Sequence, residues 1–321
     1  MLSTILLIII FALCAYGFSR LDCHVYLWFL DRFCSGPTYT AHLRDRVVWI
    51  TGASSGIGEF MAYEFAKVGC KLALSGTNES RLEAVKSKCL DMNSSLSVGD
   101  VLVIPFDISV YQRHRACFER VMIHFKQIDI LINNAGRSQR AAFEKIDINV
   151  DEEMFRTNVF GPVNLTRIVV DHWYKLNYPG QIAVTSSVAG ICPAPFSCTY
   201  SGTKYALHGY FETLRVEGYK NIKVTLLCPG PVFSRILENS FTEQPGVVVN
   251  KSHDKDSVRM TTERCAKLCF SAIVNRVNVA WISIQPVLTC CYLSQYLPNI
   301  LVLIFTKFMT EEKLMKIREG K

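Results

Sequence analysis

From Arg46 onward, seven short apolar runs alternate with helical patterns, and this alternation constrains the fold more than any other feature. The runs are residues 47–50, 71–74, 101–104, 130–132, 181–184, 223–227 and 279–282. Each is too short for a buried helix, and its apolarity is too continuous for a strand with one wet face. Helical stretches separate nearly all of them, as right-handed crossovers between parallel strands require. The expectation is an α/β fold: one doubly wound parallel sheet of about seven strands, in a single domain over residues 44–290.

Half of the 321 residues are hydrophobic and 20% are charged, which excludes a disordered chain. The formal net charge is +7, but the 35 basic residues are scattered and form no dense stripe. Nucleic acid is therefore not an expected partner, whereas weak attraction to an anionic membrane surface stays open. Thirteen cysteines occur with no C-x-x-C pair, several inside apolar runs, as reduced buried thiols do. The seven histidines show no metal-ligand spacing, so no metal is expected.

Residues 1–18 carry no charged side chain and, as a helix, would reach about 27 Å at 1.5 Å per residue. Two readings remain, a retained membrane anchor and a signal peptide cleaved near Gly17. A cleaved signal would want a positive leading region, which is missing. Arg20, Arg32, Arg44 and Arg46 follow the run and place the next domain in the cytosol if the segment is an anchor. Cleavage would instead make the protein luminal or secreted. Residues 19–43 read as an aromatic-rich connector. Residues 291–321 read as an apolar segment with a basic tail, either packed on the domain or lying in a membrane interface beside a substrate entrance. The polar stretch 243–259 reads as a loop over the ligand edge of the sheet.

The strand tips carry the candidate chemistry. The first strand runs into Thr51-Gly52-Ala53-Ser54-Ser55-Gly56-Ile57-Gly58, a glycine-rich turn opening a helix whose free N–H groups suit phosphates. Asn133-Asn134-Ala135-Gly136 ends the fourth strand and Ser186-Ser187 the fifth. Tyr200 and Lys204, four residues apart, share one helix face. Pro229-Gly230-Pro231-Val232 ends the sixth strand.

Together these motifs resemble the short-chain dehydrogenase/reductase family over about residues 44–290, and the two ends resemble its membrane-associated member 7 subgroup. The resemblance implies a Rossmann-type fold and a catalytic set of Asn158, Ser187, Tyr200 and Lys204. Tyr200 would exchange the proton, Lys204 tune it, Ser187 hold the substrate oxygen and Asn158 bind a relay water. A lysine about 4 Å from a phenolate is worth roughly 4 kcal/mol at an effective dielectric near 20, before desolvation is counted. The resemblance also implies dinucleotide contacts from Gly52, Ser54, Ser55, Gly56, Ile57, Gly58, Gly76, Thr77, Asp107, Asn134, Ala135, Gly136, Tyr200, Lys204, Val232 and Ser234. The end of strand two lacks the carboxylate that selects NAD, since Gly76 stands there. The usual basic markers for NADP are missing too, as Ser55 and Thr77 occupy their positions. NADP is the expected cofactor, with NAD the alternative. The expected enzyme moves hydride to or from a small hydrophobic alcohol or ketone, such as a steroid, retinoid or lipid carbonyl. A homodimer at the endoplasmic reticulum goes with that resemblance. The alternative is a non-catalytic binding or regulatory protein that keeps the fold.

Overall fold

A computed structural model describes residues 2–34, 36–254 and 256–319, and the side chains of residues 2–9, 11 and 317–319 lie outside that description. Its centre is a seven-stranded parallel sheet of β1 (Val47–Thr51), β2 (Lys71–Gly76), β3 (Val101–Pro105), β4 (Ile130–Asn133), β5 (Gln181–Thr185), β6 (Lys223–Pro229) and β7 (Val279–Ile282). The order is β3-β2-β1-β4-β5-β6-β7. Every apolar run is a strand. Most extend past the run by one or two residues, among them polar tips such as Thr51, Asn133 and Thr185, which the apolar pattern could not show.

The order reverses between β1 and β4, whose register pairs Val48 with Ile130 and Ile50 with Ile132. Crossovers leave in opposite directions there, so a crevice opens at the strand tips. Helices Gly56–Lys67, Glu79–Met92 and Thr262–Val274 cover one face, packing Met61, Phe65 and Phe270 onto the sheet. Helices His114–Phe125, Gly161–Lys175 and Cys198–Val216 cover the other, around Trp49, Trp173 and Phe211. All thirteen cysteines are free thiols.

Two regions differ from a simple reading of the sequence. The helix expected to run unbroken through Asn158 is instead Ile148–Phe155, a wider π turn at Arg156–Phe160, then Gly161–Lys175. A π turn inserts a residue, and here it turns Asn158 into the fold. Gly161 follows because a Cβ there would lie 2.5 Å from the Ile108 carbonyl oxygen.

The second region is the segment before β1. Helix Val25–Phe33 buries Leu27 and Leu30 against Thr262–Val274, and Cys23 joins the same core. Arg264 donates from Nε to Asp22 (2.7 Å) and from a terminal nitrogen to Asp31 (2.8 Å), tying this helix to the domain. Earlier still, helix Leu2–Ser19 carries the apolar N-terminal run, most of whose side chains lie outside the described residues. Among the described residues no helix is long and apolar enough to cross a membrane.

The chain ends in helices Val287–Tyr296, Pro298–Phe308 and Glu311–Glu319. The Phe18 ring lies 5.5 Å from that of Tyr292, so the end of the N-terminal helix meets the first of these three. Arg264→Met should cost about 1–3 kcal/mol, the scale of hydrogen bonds to charged groups. Urea midpoints should fall accordingly, and proteolysis around residues 34–44 should speed up; unchanged proteolysis would show that the ion pairs do not hold the segment.

Candidate active site

The crevice at the strand tips is a cavity of about 560 Å³, within the range of small-molecule sites. Its floor is a hydrogen-bonded mesh. Thr51 Oγ1 accepts from the backbone N–H groups of Asn134 (3.0 Å) and Ala135 (3.2 Å). The Asn134 amide donates to the Gly52 carbonyl (3.1 Å) and accepts from the Thr185 hydroxyl (3.1 Å). The tips of β1, β4 and β5 are thereby locked together.

Backbone shape at one end suits a dinucleotide. Gly52 and Gly56 have φ of +66° and +63°, a region where a side chain is strained. A Cβ on Gly58 would lie 2.3 Å from the Gly52 carbonyl oxygen, so only glycine lets helix Gly56–Lys67 approach the turn. That helix has no side-chain cap at Ser55, and Ser55, Gly56 and Ile57 line the cavity. Uncapped N–H groups at a helix start form an anion site. Ser54, Gly76, Thr77, Asp107, Asn134, Ala135, Gly136, Val232 and Ser234 line the same cavity. Asp107 also accepts from the Ser109 N–H and hydroxyl (both 2.8 Å), which fixes its own turn.

At the other end stand Ser187, Tyr200 and Lys204. Lys204 is buried, donates to the Thr185 carbonyl at 2.8 Å, and lies 5.5 Å from the centre of the Tyr200 ring. Desolvation pushes its ammonium from the usual 10.5 down to about 8. Ser187 Oγ accepts from the Ala189 N–H (3.1 Å) and donates to the Pro229 carbonyl (3.2 Å), which fixes its direction. Asn158 stands behind the wall. Its amide pairs with both the N–H and the carbonyl of Arg137 (2.8 Å each) and donates to Thr203 (3.1 Å). This side chain holds the turn after Gly136; it is not turned toward open cavity space. Gly136 must stay small here, since its Cβ would lie 3.1 Å from Asn158 Oδ1.

The structure adds lining residues that sequence reasoning missed: Arg137, Arg140, Arg235, Arg259, Phe305 and Leu314. The two arginines just after the Asn-Asn-Ala-Gly tip were legible by position. The C-terminal Phe305 and Leu314 had no signal, because only the tertiary path of the chain brings them over the cavity.

Comparison with known proteins agrees with this geometry. The short chain dehydrogenase family model matches residues 46–245. The chain belongs to that family. It is 40% identical over 259 residues to dehydrogenase/reductase SDR family member 7 of Homo sapiens, covering 80% of this chain and 76% of that one. It is 36% identical over 243 residues to 11-beta-hydroxysteroid dehydrogenase-like 2 of Arabidopsis thaliana, covering 75% and 74%. A short-chain dehydrogenase/reductase from Burkholderia phymatum, solved in complex with NAD, has the same fold. Its TM-score is 0.69 at 23% identity, over 80% of this chain and 95% of that one. The protein is thus a short-chain dehydrogenase/reductase, an oxidoreductase acting on CH–OH donors with a nicotinamide dinucleotide.

Burial of Lys204 has a thermodynamic consequence. Its pKa is lower folded than unfolded, so between about 8 and 10.5 the unfolded chain binds more protons and stability from this group rises with pH. Lys204→Met removes that contribution. In cofactor-free protein, the stability of Lys204→Met relative to wild type should fall between pH 8 and pH 10. Urea titrations that give a pH-independent difference would show that Lys204 titrates normally.

Proposed function

We propose that this enzyme is NADP(H)-dependent, interconverts a hydrophobic alcohol and its ketone, and uses Tyr200, Lys204, Ser187 and Asn158 to do so. The observation that carries the reading is the buried ammonium of Lys204 beside Tyr200 in a cavity whose other end is built for phosphates. When bound, the nicotinamide gives or takes the hydride at the carbinol carbon. The protein's own groups handle the oxygen. Tyr200 moves the proton there, and the Lys204 charge stabilises its phenolate. Ser187 holds the same oxygen through a hydroxyl already fixed at both ends. Asn158 acts through Arg137, keeping the turn after Gly136 against Lys204.

The cofactor lean rests on charge. No carboxylate ends β2: Gly76, Thr77, Asn78 and Arg81 line the cavity there. A 2′-phosphate meets no repulsion and has one guanidinium within its surroundings. The relatives named for hydroxysteroids support a hydrophobic secondary alcohol, and so does the largely apolar wall near residues 193–195. A homodimer is the proposed assembly, formed on the outer faces of helices Gly161–Lys175 and Cys198–Val216, where Tyr174, Tyr210 and Val216 are exposed.

The same reading places the enzyme at the endoplasmic reticulum, anchored by residues 1–18 with its domain in the cytosol. Exposed Val302, Leu303 and Phe308 on helix Pro298–Phe308 form an apolar face near the end of that segment, suited to a membrane surface. Asn-x-Ser/Thr sequences support the cytosolic side. Asn78 caps helix Glu79–Met92 by accepting from the Arg81 N–H, Asn93 donates to the Ala66 carbonyl, and Asn164 bonds His114. A glycan on any of these would break an internal contact.

Two experiments test this. With NADPH and a panel of lipophilic ketones, wild type should turn over and Tyr200→Phe should lose at least about a hundredfold in kcat, the scale of general acid catalysis. Near-normal turnover by Tyr200→Phe would remove Tyr200 from its role, and a tenfold preference for NADH would overturn the cofactor assignment. In cells with a secretory pathway, a glycan-removing enzyme should leave the protein's mobility unchanged and the mature N-terminus should retain residues 1–17. A mobility shift or loss of those residues would make the protein luminal or secreted.

A further inference from the structure

The cavity wall is divided in its chemistry. Ala194, Pro195, Phe305 and Leu314 make part of it apolar, as a lipophilic substrate needs. Elsewhere it is cationic. Among the described residues, six Lys and Arg side chains line it against two carboxylates, Asp107 and Glu153. Arg81, next to the end of β2, belongs to the phosphate end, and Arg235 is paired with Glu238 at 2.8 Å. Lys204 belongs to the reacting centre. Arg137 and Arg140 are left on the segment just after the β4 tip.

That segment is firmly held. On one side, the Arg140 N–H donates to the Phe241 carbonyl and the Phe241 N–H to the Ser138 carbonyl, both at 2.9 Å. On the other, the Ser197 hydroxyl donates to the Gln139 carbonyl (2.8 Å) and the Ala141 N–H to the Phe196 carbonyl (3.2 Å). Phe196 and Ser197 lead directly into the helix that carries Tyr200. Arg140 is therefore fixed in register with the catalytic helix. The Arg137 guanidinium stacks 5.0 Å from the Phe241 ring centre, which limits its rotamers. A neutral lipid gains nothing from guanidinium groups placed in a partly dry wall. An anion does, and the planar fork matches a carboxylate.

We propose that the substrate is a lipophilic ketone or secondary alcohol that also carries a carboxylate, bound by Arg140 with Arg137 beside it. The inference rests on the oxidoreductase reading above and narrows its substrate class. The carboxylate sets which end of the substrate enters, while the apolar wall takes the chain.

The test uses the full-length enzyme with NADPH and a matched pair, a long-chain oxo-fatty acid and its methyl ester, both below their micelle concentrations. The acid should exceed the ester in kcat/KM by at least about tenfold, mostly through KM. Arg140→Met should bring the ratio to within about twofold of one, and Arg140→Lys should keep part of the preference. Each variant is first checked for cofactor binding by fluorescence; if Arg140→Met fails that check, Arg140→Lys and Arg137→Met decide. Equal rates for acid and ester in wild type would overturn the proposal, as would a preference that survives both Arg140→Met and Arg137→Met. Turnover of uncharged ketones without turnover of either oxo-lipid would overturn it while leaving the oxidoreductase reading intact. No turnover of any ketone with either cofactor would overturn both.

Discussion

The Lys204 ammonium, buried and hydrogen-bonded to the Thr185 carbonyl at the tip of β5, is the interaction on which the site depends. A lone cation in so dry a place is costly, and its lowered pKa reports that cost. The fold tolerates it because the surroundings are over-determined. Thr185 is tied by its hydroxyl to Asn134, and Asn134 is tied to the glycine-rich turn. The Lys204 carbonyl accepts from the Ser186 hydroxyl at 3.2 Å, and Gly190 packs so closely that a Cβ would lie 2.9 Å from that same carbonyl oxygen. A charge held this rigidly needs little rearrangement when negative charge develops on a neighbouring phenolate, which is how preorganised electrostatics lower a barrier.

How much of this was legible in the sequence follows from how local each cause is. A strand buried on both faces must be apolar throughout, so all seven strands could be read from residue type alone. The glycine-rich turn, the Asn-Asn-Ala-Gly tip and the Tyr200–Lys204 spacing were legible because backbone sterics and helix periodicity act over a few residues. The π turn at Asn158 was not. Its cause is the close approach of Gly161 to Ile108 and the pairing of Asn158 with Arg137, both contacts across the fold. The docking of helix Val25–Phe33 was hidden similarly. Its aromatic residues read as linker composition, while the fixing contacts come from Arg264, more than two hundred residues away.

The same distinction separates the two ends of the cavity. The phosphate end is made from backbone, and glycine is the residue that backbone geometry selects, so it announces itself in sequence. The substrate end is made from side chains on segments far apart in the chain: residues 137–140 after β4, 193–195 after β5, the loop near 235–259 and the C-terminal helices. No local rule joins them. Their common property is visible only in space, as an apolar wall that includes C-terminal residues set beside a cationic one fixed by main-chain hydrogen bonds. Specificity in such a fold is written where secondary structure gives least guidance, because loops at the strand tips can change without disturbing the buried sheet that positions them. The cost of placing arginines in that wall is borne by the Ser138–Phe241 and Gln139–Ser197 contacts, which keep them at the cavity and not in open solvent. A chain indifferent to its substrate's charge would have no physical reason to hold them there.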